Sequence, residues 1–146
     1  MVEAAASCSA PQRKAPKIEK KEVTPEQKAL KEAIAARTSS LATLKRVFEK
    51  HRKDLNEHMG YVSVIKTKGY PDGLTDHMLG QMAPLQKQID ESATFYSGEI
   101  IKVAPATVEA ANACQRKVDE YVKSLEEAIS VCRDGVFKDA KKLRKD

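Results

Sequence analysis

The chain has 146 residues, 41% hydrophobic and 32% charged, with a formal net charge of +5 and a pI near 9.1. That length suffices for one domain, which would bury roughly 70% of the surface its unfolded chain exposes. No apolar run approaches the roughly 20 residues of a membrane-spanning helix. Three cysteines, Cys8, Cys114 and Cys132, are too sparse and uneven for a disulfide framework and fit a reducing compartment.

Residues 1–23 read as a disordered tail. Pro11 and Pro16, the basic pair Arg13-Lys14 and the charged stretch from Lys17 to Glu22 leave little to bury, so nothing offsets the entropy of ordering. The segment lacks the basic start and apolar stretch of a secretory signal. A cytoplasmic location is expected. Organelle targeting through the Ala/Ser-rich start is the alternative, opposed by Glu3, Glu19 and Glu22.

The first helix, about 25–68, is announced by Thr24-Pro25-Glu26-Gln27. A capping hydroxyl precedes a proline at the first helical position, and Gln27 stands where a capping box wants Glu or Gln. Ile34, Leu41, Phe48, Leu55 and Val62 then recur every seventh residue, with Leu30 and Leu44 at companion positions. A sustained seven-residue repeat predicts a helix packed lengthwise against partners. Arg37, His51 and His58 fall on the companion row and are expected to weaken that seam. Gly69 ends the helix, and Tyr70-Pro71-Asp72-Gly73 forms a turn.

The second helix, about 75–103, carries Met78, Met82, Leu85, Ile89, Ala93, Tyr96, Ile100 and Val103 in steps of three and four. Pro84 inside this pattern predicts a kink or a split near Met82. The third helix, about 106–143, starts near Pro105 or Thr107. Val108, Val122, Ile129, Val136 and Leu143 share one heptad position in it, and Ala111, Val118, Leu125 and Cys132 share the other. Cys114 and Cys132 lie on that helix roughly 27 Å apart, too far to bond. The expected fold of 24–146 is therefore all-α: an elongated, coiled-coil-like antiparallel three-helix bundle behind the disordered tail.

Charge is uneven along the chain. Residues 25–60 hold eight Lys/Arg against five Asp/Glu, and residues 75–104 hold two against four. A basic first helix beside an acidic second one directs part of the charge inward.

Few motifs carry chemistry. The run from Gly60 to Thr67 falls short of a phosphate loop, because Ile65 stands where the second glycine must let backbone amides wrap the phosphates. His51, Asp54 and His58, at i, i+3 and i+7, share one helical face, and Cys132 from a neighbouring helix is a conceivable fourth metal ligand. The pattern is loose in a charged helix, so no metal and no other cofactor is expected. The one substantial loop, residues 68–75, offers Lys68, Tyr70, Asp72 and Thr75 with no histidine or cysteine close by except His77, so no catalytic residue is expected either.

Interaction remains. The first expectation is a non-catalytic structural or adaptor protein that binds another protein, or a second copy of itself, through helix faces. Its candidate surface is Met59, Val62, Met78 and Met82 near the bend, since methionines make adaptable interfaces. The alternative is nucleic-acid binding through Lys45, Arg46, Lys50, Arg52 and Lys53 with the C-terminal Lys138, Lys141, Lys142, Arg144 and Lys145. Tyr61 and Tyr70 flank Lys66 and Lys68 and hint at single strands. A third reading rests an amphipathic final turn, with Phe137, Ala140 and Leu143, on anionic lipid without integral insertion.

Overall fold

A computed structural model describes residues 23–146; the 1–23 tail expected above, Cys8 included, lies outside the described residues but for Val23. The described chain is all helical: α1 Pro25–Thr67, α2 Asp72–Ile100, α3 Val108–Asp134 and α4 Val136–Lys145. None of them is long and apolar enough to cross a membrane.

Local chemistry sets the helix starts. Thr24 Oγ1 accepts from the Gln27 amide at 3.0 Å, and Gln27 Oε1 accepts from the Thr24 amide at 3.1 Å. Both halves of the capping box thus satisfy otherwise orphaned donors. Thr107 caps α3 in the same way, accepting from the Ala110 amide at 3.1 Å. After α1, Gly69 turns the chain at φ +94°, a left-handed conformation that favours glycine.

One core runs between the helices. Leu41, Leu44, Phe48, Leu55, Val62 and Ile65 of α1 meet Met78, Met82, Leu85 and Ile89 of α2 and Val118, Leu125, Ile129 and Cys132 of α3. Leu44, Leu55 and Leu85 are fully excluded from solvent, each worth about 1.5–3 kcal/mol relative to exposure. Phe48 meets Tyr96 edge-on at 5.8 Å, and Phe95 lies 4.8 Å from Tyr121.

Arg37, His51 and His58 depart from the expectation of a weakened seam. All three are buried, and each has a partner. Arg37 Nη2 donates to the Glu99 carbonyl at 2.9 Å and to its carboxylate at 3.3 Å. His51 Nε2 reaches Glu126 Oε1 at 3.2 Å, and His58 Nδ1 donates to the Asp54 carbonyl at 2.7 Å. Heptad positions tolerate polar side chains when a complementary atom is within reach, on the neighbouring helix for Arg37 and His51 and on α1 itself for His58.

The second and third helices also differ from their expected form. α2 begins at Asp72 and not near Thr75, whose hydroxyl instead donates to the Asp72 carbonyl within the first turn. It runs unbroken through Pro84. Gly80 and Pro84 are both exposed, so the hydrogen bond that proline removes lies where water can satisfy the carbonyl. The continuous helix expected over 106–143 is in fact two, because Gly135 leaves helical geometry at φ −125° and ψ −99°. A Cβ at Gly135 would lie 3.3 Å from the Val131 carbonyl oxygen, so a side chain there would be crowded.

Candidate functional site

The break at Gly135 redirects α4 so that Val136, Phe137 and Ala140 enter the core, at 3%, 3% and 0% exposure. Lys138, Lys141, Lys142 and Lys145 follow at i, i+3, i+4 and i+7 and share the opposite, exposed face. Together with Arg133 of α3 and Asp54 and His58 of α1, they line a groove of about 610 Å3 between α1 and α4.

The floor of this groove is fixed. The His58 ring stacks on Phe137, with centroids 3.9 Å apart and planes 10° from parallel, and its edge meets Tyr61 at 4.9 Å. A carbonyl can only accept, so the contact with Asp54 puts a proton on His58 Nδ1. Nε2 of His58 makes no hydrogen bond among the described residues. Asp54 is paired with Arg133 at 3.2 Å, so the lining sets four lysines against one further carboxylate, that of Asp146. None of these lysines has an ion-pair partner among the described residues.

Those four lysines act on the helix that carries them in opposed ways. Lys138 and Lys142, like Lys141 and Lys145, stand four residues apart, and each such like-charge pair costs about 0.2–0.5 kcal/mol. Lys142 and Lys145 do complement the helix dipole in the last turn, but Lys138 sits in the first turn, where a cation is unfavourable. A ten-residue helix is marginal alone. These effects are similar in size and opposed, so it is the core that holds this short helix in place.

The remaining candidate residues fall elsewhere. Arg144 turns away from the lysines, its guanidinium 4.2 Å above the Tyr61 ring and its Nε buried without a partner. Lys68 caps the end of α4 by donating to the Leu143 and Arg144 carbonyls. On α1, Lys45 lies over Tyr96 at 5.9 Å, and Arg52 lies over Phe48 at 5.6 Å and pairs with Asp90 at 3.7 Å. Arg46 donates to Thr43. Lys50 and Lys53 are exposed, and none of these five α1 residues lines the groove. Arg144 covers one face of the Tyr61 ring, and the Tyr61 hydroxyl donates to Glu57 at 2.6 Å, a bond that pushes the phenol above its ordinary range.

The methionine surface does not form as expected. Val62, Met78 and Met82 are core side chains, only 3%, 2% and 2% exposed. The irregular space between α1 and α2 takes these flexible side chains inward. Met59 alone of the four is exposed, and it lines a smaller groove of about 360 Å3 with Gly60, Ser63, Lys66, Asp76 and the exposed Leu79.

Two further polar clusters are structural. Asp54, Glu57 and His58 bring ligand-type atoms within 4.8 Å of one another, but Arg133, Tyr61 and the Asp54 carbonyl already occupy them. His51 and Cys132 do not join that group. Cys132 instead contacts the Gln81 carbonyl at 3.8 Å, and burial pushes its thiol up. Around Glu99, burial alone would raise the carboxyl, yet hydrogen bonds from Lys102, Cys114 and Arg37 hold it below its ordinary range. Cys114 in turn is raised, first by burial and then by the Glu99 carboxylate. Phe137, Ala140 and Val136 are spent in the core, so α4 has no free apolar face to lay on a bilayer. The run from Gly60 to Thr67 is part of α1 and makes no phosphate-binding loop.

Sequence reasoning missed Arg133 and the His58–Phe137 floor, which depend on how α3 and α4 meet α1. The lysine spacing itself was readable at i, i+3, i+4 and i+7. No protein-family model, curated protein or solved structure matches this chain.

Proposed function

We propose that this chain is a non-catalytic docking protein that holds an anionic partner in the groove between α1 and α4. The observation that carries this reading is the set of four lysines on one helical face, unpaired among the described residues. A stiff helical frame suits such a role. The order of cross-helix contacts supports an elongated, coiled-coil-like antiparallel bundle for that frame. Arg37, Phe48 and Arg52 of α1 meet Glu99, Tyr96 and Asp90 of α2, so α2 descends as α1 climbs. Asp54, His58 and Lys68 meet Arg133, Phe137 and Arg144, so α3 and α4 climb with α1.

Titration of the full chain with inorganic polyphosphate tests the groove. Binding is expected for the natural sequence and is expected to vanish when Lys138, Lys141, Lys142 and Lys145 are all changed to Gln. Helical content and melting temperature should hold, because those side chains are exposed. Equal binding by both proteins would remove the groove as the site.

A second reading keeps a protein partner at the bend. Met59 and Leu79 remain 37% and 39% exposed and line the smaller α1–α2 groove. If that face docks another helix, Met59→Glu abolishes the association and spares polyphosphate binding.

A further inference from the structure

We infer that the anionic partner of the α1–α4 groove is the phosphodiester backbone of a single nucleic-acid strand, held without reading its sequence. This inference rests on the groove being a docking site and names what fills it.

The cations are the first reason. Four of the five that line the groove are lysines, and the one arginine is already paired with Asp54. Carboxylates are best matched by the planar fork of arginine, which grips both oxygens at once, whereas a lysine ammonium is a point charge that suits phosphoryl oxygens from many directions. A site for an acidic peptide would be expected to spend its arginine on the ligand. Here Arg133 is spent on Asp54.

Spacing is the second. From Lys138 to Lys145 the helix advances about 10 Å at 1.5 Å per residue. At the roughly 3.4 Å per phosphate of a stacked strand this row spans about three to four phosphates, and fewer where the strand is extended. The lysines wall a groove and do not crown a ridge, and a groove takes one backbone more readily than the convex surface of a duplex.

What is missing from the lining sets the character of the binding. Of its residues only Phe137 and His58 carry rings, and both are buried, stacked on each other, at 3% and 6% exposure. There is no ring on which a base can stack, and no Asn or Gln among the lining residues to read a base edge. The phosphate contacts position a strand and carry no sequence information. Anionic lipid fits less well, because the apolar side of α4 is buried in the core.

Fluorescence anisotropy of the full chain with labelled single strands tests the inference. Mixed-sequence and homopolymer strands should bind alike, and log K should fall against log salt with a slope of about −3, as four phosphate contacts on a single strand require. Each Lys→Gln change at 138, 141, 142 or 145 should reduce that slope by about 0.7, while Lys45→Gln should leave it unchanged. Poly-glutamate and vesicles of anionic lipid serve as competitors in the same assay. If either one binds and the strands do not, the nucleic-acid inference is overturned while the groove stands. Failure of strands, poly-glutamate, vesicles and polyphosphate alike overturns both. A strong preference among strand sequences, or loss of binding on Lys45→Gln, also defeats it.

Discussion

The imidazole of His58 lies flat on the ring of Phe137, 3.9 Å between centroids and 10° from parallel. These residues come from α1 and α4, and their stack fastens the short basic helix to the longest helix of the fold. Removing Phe137 should therefore release α4. Phe137→Ala is expected to cost about 3–5 kcal/mol, the usual range for a buried phenylalanine. Urea unfolding monitored by circular dichroism measures it, and a loss below about 1 kcal/mol would show that α4 is held elsewhere.

His51 makes stability depend on pH. Its Nε2 donates to Glu126, so in the neutral ring Nδ1 is the bare nitrogen, and Nδ1 is buried with no partner among the described residues. Burial lowers the folded pKa below its ordinary 6.5, outweighing the opposing pull of Glu126. A lowered folded pKa means the unfolded chain binds the proton more readily. The stabilising contribution is then complete above about pH 6.5 and is lost as pH falls through the folded value. Melting temperature should thus drop as pH falls below about 6.5, and His51→Leu should flatten that part of the curve. An unchanged slope in the variant would assign the effect to another group.

Arg37 is 7% exposed and reaches Glu99 across 62 residues of sequence. Removing one partner of a buried pair leaves an uncompensated charge, so Arg37→Met is expected to cost about 3 kcal/mol or more. Adding Glu99→Gln should recover part of that loss. A double variant no better than the single one would show that Lys102, 2.6 Å from Glu99, already neutralises the carboxylate.

Cys114 and Cys132 are buried and free, and burial raises both thiols. In a Cys8→Ser background, neither should react with a thiol reagent at neutral pH until the chain unfolds. Rapid native-state labelling of either would mean that α3 opens locally.

Gly60 sits inside α1 with open space where a Cβ would go, whereas Gly69 has φ +94°. Gly60→Ala is expected to stabilise by about 0.5–1 kcal/mol, and Gly69→Ala to destabilise. The two melting temperatures should move in opposite directions.

Much of the fold was legible because its signals are local. The heptad from Ile34 to Val62 and the Thr24–Gln27 box depend on spacing along one helix, and α1 from Pro25 to Thr67 follows from them. Of the two starts read for the third helix, Pro105 and Thr107, it is Thr107 that caps α3. Pro84 was misleading because its cost depends on exposure, which a sequence does not display. Gly135 was passed over because the heptad continues on both sides of it, and only the meeting of α3, α4 and α1 makes a turn there favourable.

The candidate site divides along the same line. By itself the sequence determined that four lysines share a face of α4, since 3.6 residues per turn is a property of the backbone. It also determined the apolar stripes that make the chain helical. Only the tertiary structure decided that Met78 and Met82 are core, that Arg144 leaves the lysines to cover Tyr61, and that Arg133 neutralises Asp54 in the groove. Those outcomes rest on which helix faces meet, and burial and charge pairing across helices arise only once distant segments share a core.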